Sequence, residues 1–369
     1  MSENLIIEQS KNLLDLADTM IDDLDSKISR LYSDSELRSF KSAFLTGCGD
    51  SYIAGPAAKE AFEEFSGIPC EPCLSIDATY HLPEDKFTKS TYKTLAIGIS
   101  ISGTAAGTVN AMMNCSKLGA ETLAVTENIN SPLARRCGKI LELSPSPAAV
   151  VPGTKTYFSS ILALVMIALH IGVANGNISA FDSDRVKDEI REYCSKFKKK
   201  ISSINEQTEE IAKAFKKCKH LEFVGAGSDY ASAWFGRAKA YEAFGWVCTA
   251  ENAEDWMHVN YFARRPKELA CVVLLTKGNP ANSRIMEDLS TMKDIKRPTM
   301  IITDFGKDYP KGMYVVKIPK APERFLSPLL QILPITLLCG HLSDEFGVPF
   351  FRNFEAPWNN DGYIRFKEG

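Results

Sequence analysis

The sequence has no excess of charge of one sign and no apolar run long enough to cross a membrane. Its 369 residues include 43 basic and 46 acidic side chains, so no basic surplus is available for the phosphates of DNA or RNA. The first residues lack the basic region and apolar core of a secretion signal. The longest apolar run, Ile161–Ile171, is too short to span a bilayer, and it contains the polar residue His170. We therefore expect a soluble cytoplasmic protein with neither nucleic-acid nor membrane partners.

The sequence also lacks the motifs of metal and nucleotide sites. Its ten cysteines are scattered through core-like segments, and the single CxxC, Cys70–Cys73, has no second CxxC or histidine pair to complete a zinc site. No GxxxxGK[ST] is present, and Gly47-x-Gly49 lacks the third glycine of a dinucleotide site. We expect reduced, mostly buried thiols, no metal and no cofactor.

One motif occurs twice, 178 residues apart. Gly47-Cys48-Gly49-Asp50-Ser51-Tyr52 returns as Gly225-Ala226-Gly227-Ser228-Asp229-Tyr230. At the same offset Glu64 aligns with Glu242, Gly67 with Gly245, Cys70 with Cys248 and Asp77 with Asp255, whereas Tyr80 aligns with His258. This pattern indicates an internal duplication in which each copy begins with a strand, a glycine turn and a helix.

Strand-like and helix-like segments alternate through both copies, which predicts an α/β fold with parallel sheets. An acidic amphipathic helix is predicted over about 6–32, a helix over 131–137, and one long charged helix over 185–218. The predicted strands are 42–46, 94–99, 121–126, 140–143, 221–224, 269–275, 299–303 and 313–317.

Three short loops are suited to an anion. In an open parallel sheet the ligand lies outside the carboxyl ends of the strands. Residues 47–51, the hydroxyl-rich Ser100-Ile101-Ser102-Gly103-Thr104, and residues 151–156 each precede a predicted helix, where hydroxyl and N-terminal N–H groups donate together. The alternative for the second loop is ordinary helix capping. A small phosphorylated ligand without a nucleoside fits these loops best.

In order and spacing, these loops resemble the phosphosugar-binding signature of the SIS (sugar isomerase) family, and among its members the isomerase half of glucosamine-6-phosphate synthases. The resemblance implies two flavodoxin-like three-layer αβα domains with parallel sheets, at 35–176 and 185–345, with an N-terminal helix at 1–34 and a C-terminal tail at 346–369. It implies that Ser51, Ser100, Ser102 and Thr104 line the phosphate and that Gly49, Gly153 and Thr154 lie near the sugar. Cys48, Asp50 and Ile101 belong to the same binding loops.

The resemblance also implies the catalytic positions. The family's Lys-x-x-Glu becomes Lys239-Ala240-Tyr241-Glu242, and its Glu-x-x-His becomes Asp255-Trp256-Met257-His258. A carboxylate can move a proton between sugar carbons while an imidazole opens the ring or handles oxygen protons. The alternatives are a surface carboxylate for Glu242 and a satisfied core histidine for His258.

Some family features are absent, and they shape the expected function. The synthase's glutaminase half does not precede the sugar domains, so glutamine-dependent synthesis is not expected. The lysine of the family's tail has no clear counterpart, and Arg365 and Lys367 are the candidates. We expect an enzyme that releases the amine from an amino-substituted sugar 6-phosphate, a deaminase or deglycase, acting as a homodimer or tetramer. The alternatives are a plain aldose–ketose phosphosugar isomerase and a non-catalytic sugar-phosphate sensor.

Overall fold

The chain forms two compact units in its structure, a computed structural model that describes residues 4–89, 92–144, 151–306, 309–360, 362 and 364–367. The first unit consists of Leu16–Pro147, Lys155–Asp188 and Asn359–Gly369. The second consists of Met1–Asp15, Ala148–Thr154 and Glu189–Trp358. The domain limits predicted at 34, 176, 185 and 345 stay predictions, because compactness does not show which segments fold independently.

Each unit contains a five-stranded parallel sheet, in the order β2-β1-β3-β4-β5 and β10-β9-β8-β6-β7. The strands are β1 (Phe40–Gly47), β2 (Cys70–Leu74), β3 (Lys93–Ile99), β4 (Glu121–Thr126), β5 (Lys139–Glu142), β6 (His220–Gly225), β7 (Cys248–Asn252), β8 (Leu269–Leu275), β9 (Thr299–Thr303) and β10 (Tyr314–Lys317). The α-helices are α1 (Leu5–Asn12), α2 (Ala17–Leu31), α3 (Asp34–Ser39), α4 (Asp50–Ser66), α5 (Ser75–Tyr80), α6 (Ala106–Lys117), α7 (Thr154–Asn175), α8 (Ala180–Lys198), α9 (Ile201–Phe215), α10 (Ser228–Phe244), α11 (Ala253–His258), α12 (Asn282–Asp294) and α13 (Leu333–Phe346).

The duplication seen in the sequence is also present in the elements. The offset of 178 relates α4 to α10, β2 to β7 and α5 to α11 at both ends of each element. The helix-capping glycines repeat as well: Gly49 has φ 58° and ψ −131°, and Gly227 has φ 59° and ψ −130°. Only glycine adopts this conformation without a steric penalty, which explains why both copies keep it.

Helices cover both faces of each sheet, because successive strand residues point to opposite faces. In the second sheet Phe223 lies against Gly236 of α10, while its neighbour Glu222 accepts a hydrogen bond from Trp256 of α11. In the first, Leu45 lies against Gly55 of α4, whereas Phe44 belongs to the cluster that contains Met112 of α6. Each unit therefore has the three layers that the sequence predicted.

Two helical stretches are long and apolar enough to cross a membrane by length and composition alone. They are Thr154–Asn175 and Arg324–Phe346, with mean hydropathies of 2.0 and 1.6. In their most apolar windows 83% and 94% of the residues are buried inside the protein. Their apolar character is therefore that of core helices.

Two predicted helices are interrupted, and a third is shorter. The N-terminal helix breaks into α1 and α2 around a 3₁₀ turn at Leu13–Asp15, which buries the adjacent Leu13 and Leu14 together. The long helix predicted over 185–218 is two helices, α8 and α9, which are separated at Lys199 and Lys200. At 131–137 only a 3₁₀ turn, Ala134–Arg136, is present.

Candidate functional site

The crevice of the first unit lies where β1 and β3 end. These strands are hydrogen-bonded neighbours with Gly47 opposite Ile99, and the strand order reverses between them, since β1 leads to β2 on one side and β3 leads to β4 on the other. Ligands bind at such a reversal in open parallel sheets. The two loops predicted to hold the phosphate, 48–51 and 100–104, leave the sheet side by side.

The first loop is a tight turn from β1 into α4. A Cβ on Gly47 would lie 2.7 Å from the backbone carbon of Ser51, so the turn requires glycine there. Among the described residues no side chain caps α4, and the half-buried Ser51 lies in its first turn. An uncapped helix N-terminus next to a hydroxyl is a favourable anion site.

Cys48 and Asp50 flank that turn in different surroundings. Cys48 is the one exposed cysteine of the ten, and its Sγ lies 3.1 Å from the Oγ of Ser75 and accepts a hydrogen bond from Thr108 at 3.5 Å. Asp50 lies near the buried Tyr157, whose pKa is raised well above 10, mainly by burial and further by the charge of Asp50. Cys48 therefore lies beside the crevice, and Asp50 is directed towards α7.

The second loop is held by backbone hydrogen bonds. Ser100 N–H donates to the carbonyl of Val125 at 3.1 Å, and the carbonyl of Ile101 accepts the N–H of Glu127 and the hydroxyl of Thr126, both at 3.0 Å. The side chain of Ile101 offers no polar group, but its carbonyl fixes the loop to β4. These hydrogen bonds fix the backbone of the loop to the end of β4.

Its hydroxyl groups are close together. The Oγ of Ser102 lies 2.9 Å from the Oγ1 of Thr104 and accepts the Thr104 N–H at 3.3 Å, while Ser100 is only 4% exposed. Gly103 has φ 65°, and a Cβ there would lie 2.0 Å from the Oγ of Ser131. The structure therefore brings Ser51, Ser100, Ser102 and Thr104 to one edge of one sheet.

Gly153 and Thr154 of the third predicted loop belong to the second unit. Gly153 directly precedes α7, and Thr154 is the first residue of that helix and is fully buried. Its N–H donates to the Oε1 of Gln9 at 2.8 Å, and its hydroxyl has no hydrogen-bond partner among the described residues. Gln9 is a contact that the sequence did not predict, because it comes from the N-terminal helix far away in the chain.

The C-terminal residues pair with the second loop. Ala106 N–H donates to the carbonyl of Ile364 at 2.8 Å, and Phe366 N–H donates to the carbonyl of Thr104 at 2.8 Å. The guanidinium of Arg136 stacks on the ring of Phe366 at 4.4 Å. The candidate tail residue Arg365 consequently lies opposite Ala105 in an antiparallel bridge, at the start of α6.

The equivalent crevice of the second unit is filled by its own carboxylate. Asp229, the repeat partner of Ser51, is fully buried; Thr276 Oγ1 donates to its Oδ1 at 2.7 Å and Asn279 Nδ2 to its Oδ2 at 3.0 Å. Burial raises the pKa of Asp229, and these hydrogen bonds oppose the rise. A carboxylate thus occupies the place where the first unit has a hydroxyl and an open helix N-terminus.

Glu242 lines a pocket of about 240 Å³ at the C-terminal end of α10. Its carboxylate is paired with the ammonium of Lys239, whose side chain is 1% exposed. The other lining residues are Tyr241, Phe244, Gly245, Val348, Pro349, Arg352, Glu355 and Trp358. An accessible carboxylate held by a buried cation is the arrangement expected of a fixed proton acceptor.

His258 lies at the end of α11 with two-thirds of its side chain exposed. Its Nε2 is 3.1 Å from the Oε1 of Glu254, which also receives two hydrogen bonds from Arg284, at 2.6 and 2.8 Å. The hydrogen bonds from Arg284, and to a smaller extent the one with His258, lower the pKa of Glu254 to about 2. Glu254 is a residue that the sequence analysis missed, although its spacing of four from His258 on a helix signals the contact.

Glu242 and His258 lie on helices that cover opposite faces of the second sheet. α10 packs against the face of Phe223, whereas α11 and the following Asn260 contact the side chain of Glu222 on the other face. The buried pair of Glu222 and Arg297 anchors this segment. The fold of the unit therefore does not bring the two predicted catalytic groups together.

Residues 36–170 match the model of the SIS domain. The matching segment runs from α3 to α7 and is similar to the SIS domain. Over 94% of its length it superimposes on the C-terminal domain of glucosamine-fructose-6-phosphate aminotransferase from Francisella tularensis, with a TM-score of 0.82, 18% identity and 97% of that chain covered. At this identity the likeness establishes the fold, and both five-stranded sheets are part of it.

A curated relative shares more of the sequence. The chain is 27% identical over 331 residues to glutamine–fructose-6-phosphate aminotransferase (isomerizing) from Clostridium tetani, which covers 85% of this chain and 51% of the relative. The chain thus spans about half the length of the curated relatives it matches. A glucosamine-6-phosphate deaminase from Thermotoga maritima has the same fold, with a TM-score of 0.68, 14% identity and coverage of 93% and 95%. The candidate catalytic residues lie outside the segment that matches the SIS model.

Proposed function

We propose that this protein is a phosphosugar isomerase-type enzyme that releases the amine from an amino-substituted sugar 6-phosphate. The observation that carries the proposal is the accessible Glu242 carboxylate, fixed by the buried Lys239 at the edge of a pocket. The hydroxyl-lined crevice of the first unit supports the phosphate part of the substrate. The fold is compatible with amine release, because one protein that shares it is named a glucosamine-6-phosphate deaminase.

Phosphate binding is assigned to neutral donors. Ser51, Ser100, Ser102 and Thr104 supply hydroxyls, and α4 and α6 direct their N-terminal ends to the same sheet edge. Helix N-termini and hydroxyls stabilise a dianion without a charged side chain.

Glu242 is assigned the proton transfer between carbons. In a 1-amino-ketose 6-phosphate the carboxylate removes a proton from C1, giving an enolamine, and a proton is returned to C2. The C1=N bond that results is hydrolysed by water, which yields the aldose 6-phosphate and the free amine. Lys239 stabilises the charged form of Glu242, the form that accepts the proton.

His258 is assigned the oxygen protons and ring opening, with Glu254 orienting its imidazole. Since α10 and α11 cover opposite faces of the sheet, we assign the pair to two copies of the chain, each contributing one residue to a shared site in a homodimer.

The deciding experiment is a substrate panel. Purified protein is incubated with glucosamine 6-phosphate, fructose 6-phosphate and 1-amino-1-deoxyfructose 6-phosphates, and both released amine and sugar isomer are quantified. Amine release supports the proposal, and isomer formation without amine release favours the plain isomerase. Binding with neither product would replace the proposal with a sugar-phosphate sensor.

A further inference from the structure

We propose that the pocket beside Glu242 binds an amino-acid portion of the substrate, with Arg352 as the residue that recognises its carboxylate. The substrate class is then a ketosamine 6-phosphate whose nitrogen belongs to an α-amino acid. This inference rests on the proposed function, because it takes Glu242 as the group next to the reacting carbon.

Arg352 has hydrogen-bond donors to spare. Within the part of the chain that the structure describes, its guanidinium donates no hydrogen bond and forms no ion pair, and its one side-chain interaction is stacking on the ring of Trp358 at 4.8 Å. A guanidinium presents its donors in a planar fork that matches a carboxylate. Its face is occupied by Trp358, so its edge is the part left for a ligand.

The repeat provides an internal comparison for this position. In the first unit the C-terminal end of α4 is closed by Asn177, whose Nδ2 donates to the carbonyls of Glu64 and Phe65, both at 2.9 Å. At the equivalent end of α10 the guanidinium of Arg352 occupies the place of that amide, within 3.0 Å of a Cβ built on Gly245. The amide caps its helix, whereas the guanidinium lines a pocket.

The backbone that carries Arg352 is strained. Residues Phe351, Arg352, Asn353 and Phe354 have φ values of 48°, 50°, 54° and 53°, a left-handed turn made entirely of non-glycine residues. Side-chain-bearing residues avoid this region because the Cβ crowds the carbonyl oxygen. Such strain is concentrated at binding and catalytic sites, where it fixes a side chain that the surrounding packing would otherwise release.

The charges of the pocket match a zwitterion. Glu242 is neutralised by Lys239, which leaves the cation Arg352 and the anion Glu355 to face a ligand. A ketosamine of an α-amino acid carries a secondary ammonium next to the sugar and a carboxylate beyond it. The ammonium suits Glu355 and the carboxylate suits Arg352, whereas a second phosphate would meet the carboxylate of Glu355 with like charge.

The test compares two ligands that differ in the carboxylate alone: 1-amino-1-deoxyfructose 6-phosphate whose nitrogen carries glycine, and the same compound carrying glycinamide. Affinities are measured by calorimetry in Glu242→Gln protein, and because both ligands meet the same protein, the change at 242 cancels from their ratio. We expect the glycine adduct to bind more tightly, on the order of tenfold to a hundredfold. Arg352→Ala should reduce the ratio to about one, mainly by weakening the glycine adduct.

Arg352→Lys should restore part of the preference, and Arg38→Ala, which removes an exposed arginine on α3, should leave it unchanged. Thermal unfolding of each variant identifies any loss of fold, and Arg352→Gln replaces a variant that unfolds. A ratio near one in the unmodified Arg352 background, or a ratio that survives Arg352→Ala and Arg352→Gln, overturns the inference. Failure of the proposed function would appear separately, as intact binding preference without amine release by protein that retains Glu242.

Discussion

The hydroxyl of Thr276 donates a 2.7 Å hydrogen bond to the buried carboxylate of Asp229, in the crevice where the other half of the repeat has Ser51. The two turns carry the acid and the hydroxyl in opposite order, Asp50-Ser51 in one copy and Ser228-Asp229 in the other. In the second unit the carboxylate of Asp229 accepts hydrogen bonds from the loop residues Thr276 and Asn279, while in the first unit Ser51 lies half-buried at the start of α4. The duplication has left one crevice for a ligand and one that stabilises the fold.

This relationship predicts that Ser51→Asp abolishes phosphosugar binding. The new carboxylate would lie in the first turn of α4, where the phosphate is proposed to bind, and its negative charge would repel the dianion. Calorimetry with glucosamine 6-phosphate should show no binding to the Ser51→Asp protein. The Ser51→Ala protein loses a single hydrogen bond to the ligand, and its affinity should fall roughly fivefold to tenfold. Retained binding in Ser51→Asp would move the phosphate elsewhere.

The second loop should contribute through neutral donors. Ser100→Ala combined with Ser102→Ala removes two hydroxyls from the edge of the sheet, and affinity for the phosphosugar should fall on the order of tenfold or more. The matched control is Thr276→Ala in the other copy, which should lower stability without changing affinity. Equal affinities of the wild-type and doubly substituted proteins would contradict the assignment.

Glu242 and its repeat partner Glu64 should differ in catalysis. Loss of a general base costs about 10² to 10⁴ in rate, so Glu242→Gln should abolish solvent-deuterium incorporation at C1 or C2 of the sugar while leaving phosphate-driven binding nearly intact. Glu64→Gln should do neither, because its copy of the repeat has Tyr80 at the position where the other copy has His258. Exchange at the wild-type rate in Glu242→Gln would remove this residue from the mechanism.

The two-chain site predicts complementation. Glu242→Gln and His258→Ala proteins should each be inactive, and after subunit exchange a mixed dimer regains one complete site. Equal mixing should therefore restore about a quarter of the wild-type activity. If labelled chains exchange and no activity returns, then either both residues act within one chain or one of them is not catalytic.

Asp288 should make stability depend on pH. It is fully buried on α12, both its oxygens lack hydrogen-bond partners among the described residues, and burial raises its pKa to about 8. Between about pH 4 and 8 the unfolded chain has lost this proton and the folded one keeps it. The free energy of unfolding should thus fall as pH rises, by up to about 1.4 kcal/mol per unit.

Asp288→Asn removes this titration. Urea unfolding at pH 5 and pH 7.5 should show the variant gaining stability over wild type as pH rises, by about 1 to 4 kcal/mol at the higher value. Asp294→Asn, at the end of the same helix, serves as the control. Parallel pH profiles for wild type and Asp288→Asn would mean that the carboxyl group is ionised in the folded protein.

Much of the architecture follows from local pattern. The alternation of apolar runs with amphipathic segments is enough to predict four of the five strands of each parallel sheet, and β4, β8 and β9 begin and end where the sequence predicts. The short edge strands β2 and β7 were not predicted. Gly49 and Gly227 could be predicted because a left-handed turn between strand and helix excludes other residues. The hydroxyl loop could be predicted for the same reason: a parallel strand must deliver the residues after it to the ligand edge.

The tertiary structure decided what depends on contacts distant in sequence. That Asp229 is buried against Thr276 and Asn279, that Ile364–Phe366 pair with the start of α6, and that Arg352 faces Glu242 are not visible in local spacing, because each joins segments that only folding brings together. The same holds for the break between α1 and α2, where the burial of two adjacent leucines outweighs helical continuity. Sequence determined the elements and the residues at their ends, whereas side-chain packing determined which of those residues remain accessible to a ligand.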